Sequence, residues 1–382
     1  MFEKRMENLK NKLSKSNVQT TLITDEDNIY YFTGYYDYLH MNFGRPTILI
    51  VSIENGTYLI TPSMEKHMAI DRAAVDNFIF WNDGEGEEWR ESLSKILKNN
   101  NIVGYELNYM PPIVQRYIST ILNKEKIFDV SNIISELRMI KSPQELKLAR
   151  HCGEVANAMM NAGRDSIRNG IREFEVAIAA SIAGTYKASE LLKKYYRDSK
   201  MSPNIHFLQI MASGENISMP HHRASNRLMK EGDPVFLCFC GMTNFHRFKL
   251  GFDRMFWIGK IENKRHEKVY KVALKSQKAA LKKLKPGVMA EEIHAAYAEV
   301  ILKEGFDYPF RCGRATGFSF LEKPQIVYGD KTIIRPGMVF AIDGSVTLDK
   351  TFRAQVGDSF IVTPKGYEAI TSHPKEIENI IV

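Results

Sequence analysis

Cysteine is scarce: the chain has four in 382 residues, Cys152, Cys238, Cys240 and Cys312. None forms a Cys-x-x-Cys pair, and a chain this long buries enough core to need no staples. A disulfide framework is therefore excluded and a reducing cytoplasm is expected. Long apolar runs are also missing, and none reaches the roughly 20 residues of a membrane helix. The N-terminal MFEKRMENLKNKLSKSN is charged and lacks an apolar core, so no secretory signal is expected. Excess charge of one sign is small, at +7. The lysines, as at Lys193-Lys194 and Lys282-Lys283, are scattered, which argues against nucleic-acid binding. With 44% hydrophobic and 25% charged residues, the chain is neither disordered nor fibrous. Its length predicts two or three domains.

The first part alternates strand and helix signals. Residues 3–15 place Met6, Leu9 and Leu13 on one helical face. Thr20–Ile23 reads as a short buried strand, Tyr30–Phe32 follows, and Gly34 marks a turn. Thr47–Ser52 and Thr57–Ile60 form a hairpin around Glu54-Asn55-Gly56, where Asn-Gly supplies the turn. Further helices are predicted over 64–73 and 87–98, and strands over 77–81 and 102–105. This pattern defines an α/β domain over residues 1–128. Then Ser142-Pro143-Gln144-Glu145 opens a long helix, with Ser as cap and Pro at the first helical position. Helices over 173–186, 264–284 and 290–304 interleave with strands over 204–212, 233–240, 254–259, 338–342, 358–363 and 366–370. Residues 129–382 thus form a second, α+β domain.

Four groups of residues carry chemistry. His221, in Pro220-His221-His222, precedes a strand, where an imidazole can act as general base; a pair of polar loop histidines would read the same way. Cys238, Cys240 and His246 offer soft-metal ligands, although Val235, Leu237 and Phe239 make buried structural thiols the better reading. In Phe43-Gly44-Arg45-Pro46, Gly and Pro pin the backbone around a guanidinium suited to a carboxylate. Asp253, Asp343 and Asp358 sit on apolar strands that would carry them inward, where unpaired carboxylates are expensive.

Asn28-Ile29-Tyr30-Tyr31-Phe32-Thr33-Gly34, Leu137-Arg138-Met139-Ile140-Lys141-Ser142-Pro143, Ser213-Gly214, Pro220-His221, Gly232-Asp233, Pro336-Gly337-Met338-Val339-Phe340 and Val362-Thr363-Pro364-Lys365-Gly366 occur in one order. That order resembles the pita-bread family of methionine aminopeptidase, aminopeptidase P, prolidase and creatinase, over nearly the whole chain. The resemblance implies an α+β fold with an N-terminal creatinase-type α/β domain and a C-terminal pita-bread domain. Its peptidases hold two metal ions with two Asp, one His and two Glu. Those positions fall here on Cys238 (or Cys240), near Gly251, and on Arg314, Asp343 and Gly357. A second histidine of prolidases falls on Leu321. Only Asp343 keeps a carboxylate, so no metal or other cofactor is expected.

Creatinase, the metal-free branch, is the nearest match. It implies His221 as catalytic base, Asp253 and Asp343 around a cationic substrate end, and Phe43 and Arg45, with Arg314, around a carboxylate end. The expectation is a metal-independent, creatinase-like hydrolase of a C–N bond in a small zwitterion. It would be a homodimer in which Arg45 reaches into the partner's site, with no nucleic-acid or membrane partner. A prolidase or Xaa-Pro aminopeptidase-like metallopeptidase is the alternative, and a non-catalytic peptide-binding protein the second alternative.

Overall fold

The chain divides between Arg138 and Met139. The computed structural model describes residues 1–36, 46–82, 88–98, 102–204, 210–239, 245–348 and 351–382. Phe43, Arg45 and Cys240 lie outside the described residues. No helix among those described is long and apolar enough to cross a membrane.

The first unit opens with α1 (Phe2–Lys15), which buries Met6, Leu9 and Leu13 as its periodicity requires. β1 (Thr20–Ile23) leads to α2 (Glu26–Thr33), whose N-cap Asp25 accepts a 2.9 Å hydrogen bond from the Asn28 amide. Tyr30–Phe32 belong to this helix. β2 (Ile48–Ser52) and β3 (Gly56–Pro62) form the expected antiparallel hairpin. Then come α3 (Lys66–Arg72), β4 (Asn77–Trp81), α4 (Glu88–Leu97), β5 (Val103–Tyr105), α5 (Pro112–Ile121), β6 (Ile127–Asp129) and α6 (Ser131–Met139). The sheet order is β4-β3-β2-β1-β5-β6. Trp89, Leu93 and Leu97 of α4 and Val114 and Ile118 of α5 pack on Leu22, Ile50 and Ile60 of the sheet. A boundary after residue 128 would cut β6, which pairs in parallel with β5. That pairing moves the division to the end of α6. Inside the unit, the Asn28 side chain donates to Glu106 and accepts from Arg138. Burial, with the Asp25 charge adding to it, pushes the Glu106 carboxyl up to about 8.

The second unit begins at α7 (Pro143–Ser166), where the expected capping box forms. Ser142 Oγ accepts from the Glu145 amide at 3.3 Å, and Glu145 Oε2 accepts from the Ser142 amide at 2.6 Å. α8 (Glu173–Leu191) packs against α7. The chain continues through β7 (Ile210–Ser213), β8 (Pro234–Cys238) and β9 (Asp253–Trp257) to α9 (Lys264–Lys283) and α10 (Ala290–Lys303). β10 (Arg311–Ala315), β11 (Glu322–Val327), β12 (Val339–Leu348), β13 (Phe352–Thr363) and β14 (Gly366–Ala369) complete it. The strand order is β11-β10-β12-β13-β9-β8-β7, with β14 on β13.

β12 and β13 pair from Val339↔Ile361 to Leu348↔Phe352. Successive side chains alternate faces. Asp343 and Gly357 thus share one face, while Ile342 and Asp358 share the other. On that second face α9 packs against both strands, and Gln277 Nε2 donates to the Ile342 carbonyl at 3.0 Å. Helix and strand approach most closely at Gly344, where a Cβ would overlap the Ala273 carbonyl oxygen of α9. Gly344→Ala should therefore destabilise the protein by about 1–3 kcal/mol or more. Urea unfolding checks this, and an unchanged midpoint would show that the helix does not press on the sheet there.

Candidate active site

A cavity of about 590 Å³ opens on the sheet face opposite α9. Period-two alternation builds its floor. β8 contributes Phe236 and Cys238, β12 contributes Asp343 and Ser345, and β13 contributes Arg353 and Gln355. His221, in the turn between β7 and β8, lines the same cavity, as does Arg314 of β10. The structure thus brings together His221, Arg314 and Asp343 of the expected site. His222, beside His221, instead bonds the Met211 carbonyl through Nδ1 at 2.8 Å and lies 3.7 Å from buried Glu173.

Arg314 Nη1 donates to Asp343 Oδ2 at 3.1 Å, and the guanidinium carbon sits 4.4 Å from the centre of the Phe320 ring. Arg314 was expected at a substrate carboxylate; in the structure it is paired with Asp343. Asp343 Oδ1 is buried and accepts no hydrogen bond among the described residues. Asp253 lies next to it but is fully buried, with Oδ2 accepting from Gln355 Nε2. It stands behind the cavity wall and not on it, a correction to its expected place around a substrate cation. The two carboxylates flank Gly357. A Cβ there would overlap Asp343 Oδ1 and lie 2.6 Å from Asp253 Oδ2. Burial pushes the Asp343 carboxyl up to about 7; the Asp253 charge adds to the rise, and the Arg314, Arg311 and Arg353 guanidinium groups oppose it.

Asp358 belongs to a different network. On the α9 face it pairs with Arg254 at 2.7 Å and Lys375 at 2.6 Å, and it accepts from Gln277 at 3.2 Å. Arg254 also donates to the carbonyls of Gly357 (2.9 Å) and His373 (2.8 Å). This cluster is structural, and it locks β9 against β13. Lys141 is likewise structural, in a buried 2.7 Å pair with Glu322. Leu321 is exposed, and His246 packs against the rings of Tyr196 and Phe245. Gln355 and Arg353 escaped the linear reading. Their signal was present as polar residues at alternate positions before Gly357 in an otherwise apolar strand.

The positions that the family resemblance assigns to metal ligands do meet in space. Cys238 faces Asp253, Asp343 faces Gly357, and Gly251 borders Arg314. The side chains there do not fit a pair of metal ions. They supply one carboxylate, one thiol, a guanidinium and two glycines. A Cβ on Gly251 would lie 3.0 Å from Arg314 Nη2 and 2.6 Å from Ala341 Cβ. The guanidinium thus fills the space a carboxylate at position 251 would use. Among the described residues no three His, Cys, Asp or Glu side chains are grouped to hold a metal ion.

The chain has two domains, and the second, of pita-bread architecture, carries the sheet-floored cavity. The model of metallopeptidase family M24 matches residues 147–364, and that of the creatinase/prolidase N-terminal domain matches residues 5–140. The chain belongs to this creatinase/prolidase family. It is 26% identical over 97% of its length, and 96% of the relative's, to a protein of Rhizobium rhizogenes named agropine synthesis cyclase. It is 25% identical to an Xaa-Pro dipeptidase of Pyrococcus furiosus, covering 98% of this chain and 100% of the other. A prolidase structure from Thermococcus sibiricus superimposes with a TM-score of 0.85 at 24% identity, covering 98% of each chain.

Asp343 has a consequence for stability. Between the usual carboxyl range near pH 4 and about 7, the folded protein keeps a proton on Asp343 that the unfolded chain has lost. Its contribution to stability declines as pH rises through that window and is level above it. The unfolding free energy of wild type minus that of Asp343→Asn should fall across the same window. A pH-independent difference in urea titrations would refute the raised carboxyl.

Proposed function

We propose that the chain is a hydrolase of a C–N bond in a small zwitterionic substrate, working without bound metal and with His221 moving the proton. The observation that carries this reading is the Arg314–Asp343 pair, a guanidinium at a position that the resemblance assigns to a metal ligand. Hydrolysis adds water across the bond. The hydroxyl goes to carbon, and the nitrogen leaves with a proton. His221 takes the proton from the attacking water and returns it to the leaving nitrogen. Asp343 Oδ1, with no partner among the described residues, is the acceptor for the cationic nitrogen end. A cation docking there replaces the proton that Asp343 holds beside Asp253, so its charge does part of what a metal charge would do.

The names of the relatives favour a second reading, an Xaa-Pro dipeptidase-like metallopeptidase. The two readings separate on the purified protein. Ours expects no stoichiometric transition metal and no hydrolysis of glycyl-proline with or without added manganese. Two metal ions per chain with metal-dependent cleavage would overturn it. Once a substrate is found, His221→Ala should lower kcat by about 10²–10⁴-fold, and unchanged turnover would remove His221 from the mechanism.

A homodimer with Arg45 completing the partner's site is also part of this reading. Mixing Arg45→Ala and His221→Ala chains should then restore part of the activity that each lacks alone. No restoration, or a monomer in sedimentation, would exclude it.

A further inference from the structure

Arg353 lies on the cavity face of β13, two alternate positions before Gly357. The ladder runs Asp343↔Gly357, Ser345↔Gln355, Thr347↔Arg353 along one face. The cavity floor therefore has an acidic end, a neutral polar middle and a cationic end. The outer pairs are four residues apart, about 13 Å along the strand at ~3.3 Å per residue. The Arg353 guanidinium carbon lies 5.5 Å from the centre of the Phe236 ring, which lines the same floor. Stacking on an aromatic face leaves the in-plane N–H donors of a guanidinium free for an oxyanion. Among the described residues the Arg353 side chain makes no hydrogen bond or ion pair, and it is only partly buried. It differs in this from Arg314, which is held by Asp343, and from Arg311, which donates to Gln325 at 3.3 Å.

We infer that Arg353, on its Phe236 platform, is the carboxylate anchor of this cavity and takes the end of the substrate remote from Asp343. The inference rests on the zwitterion reading for the opposite end of the substrate only. It also sets the substrate's shape. The carboxylate is separated from the reacting nitrogen by a chain of several atoms, because the two ends of the floor are two ladder steps apart. With the backbone positions of the two ends about 13 Å apart along the strand, a spacer between nitrogen and carboxylate should suit the floor better than an α-amino acid.

Calorimetric titration of glycine, γ-aminobutyrate, ε-aminocaproate, caproate and caproamide into the wild-type protein and into Arg353→Gln and Arg353→Lys tests it. Affinity should rise from glycine to ε-aminocaproate. Caproate should bind at least about tenfold more tightly than caproamide, the loss expected for one charge-assisted pair. Arg353→Gln should abolish that preference and Arg353→Lys should keep part of it. Equal caproate binding by wild type and Arg353→Gln overturns the inference, as does a wild type that fails to prefer caproate over caproamide. Inorganic phosphate binding more tightly than caproate with the same dependence on Arg353 overturns the carboxylate assignment. Asp343→Asn should weaken ε-aminocaproate and leave caproate unchanged. If both ligands stay unchanged in that variant while Arg353→Gln loses caproate, the anchor stands and the zwitterion reading fails.

Discussion

The site depends on the register of β12 against β13. Ten consecutive antiparallel pairs join the strands, and one face is pressed by α9. A one-residue slip of β13 against β12 would exchange the faces of β13. Asp358 would then enter the cavity beside Asp343, and Gly357 would turn to the helix. Arg254 holds the arrangement from the rear. From β9 it reaches Asp358 and the Gly357 carbonyl, so the strand carrying Asp253 stays beside the strand carrying Gly357. Breaking a buried ion pair leaves an uncompensated charge. Three cationic or polar partners besides Arg254 (Lys375, Gln277 and Thr371) surround the Asp358 carboxylate.

With that register set, the chemistry follows from charge in a small volume. Two buried carboxylates flank a glycine, and like charges at such distances resist joint ionisation. Arg314 offsets one of them and Gln355 bonds the other. The result is a cavity whose acidic end holds a proton near neutrality, with the Arg353 cation further along the same face. In a dinuclear site the positive charge would come from metal ions between carboxylates. Among the described residues the Arg314 guanidinium stands beside Asp343, and the glycines at 251 and 357 leave room for it and for the close carboxylates.

Much of the fold was legible from local rules. The capping box at Ser142–Glu145, the Asn-Gly hairpin and the stripe on α1 are each decided within a few residues, and the structure contains all three. β10 and β11 were not legible. Arg311–Ala315 has little strand propensity, and pairing with β12 makes it a strand. The domain boundary moved because β6 is short and is held by β5, an interaction absent from the linear pattern. In the site, His221, Arg314 and Asp343 were named from motif order, but their mutual arrangement was not. Asp358 looked equivalent to Asp343 because both sit on apolar strands. Only the facing element distinguishes them, a helix bearing Gln277 in one case and an open cavity in the other.

The sequence by itself determined the two-part architecture and the element types with strong periodicity or capping, and its resemblance to the family points to Cys, Gly and Arg at positions where peptidase ligands are expected. These are properties of residue identity and of spacing along the chain. The tertiary structure decided that Arg314 pairs with Asp343, that Asp253 lies behind the wall, that Asp358 faces away, and that Arg353 and Gln355 join the floor. Those outcomes depend on which residues strand pairing and helix packing bring opposite one another, and residues far apart along the chain meet only when the sheet closes.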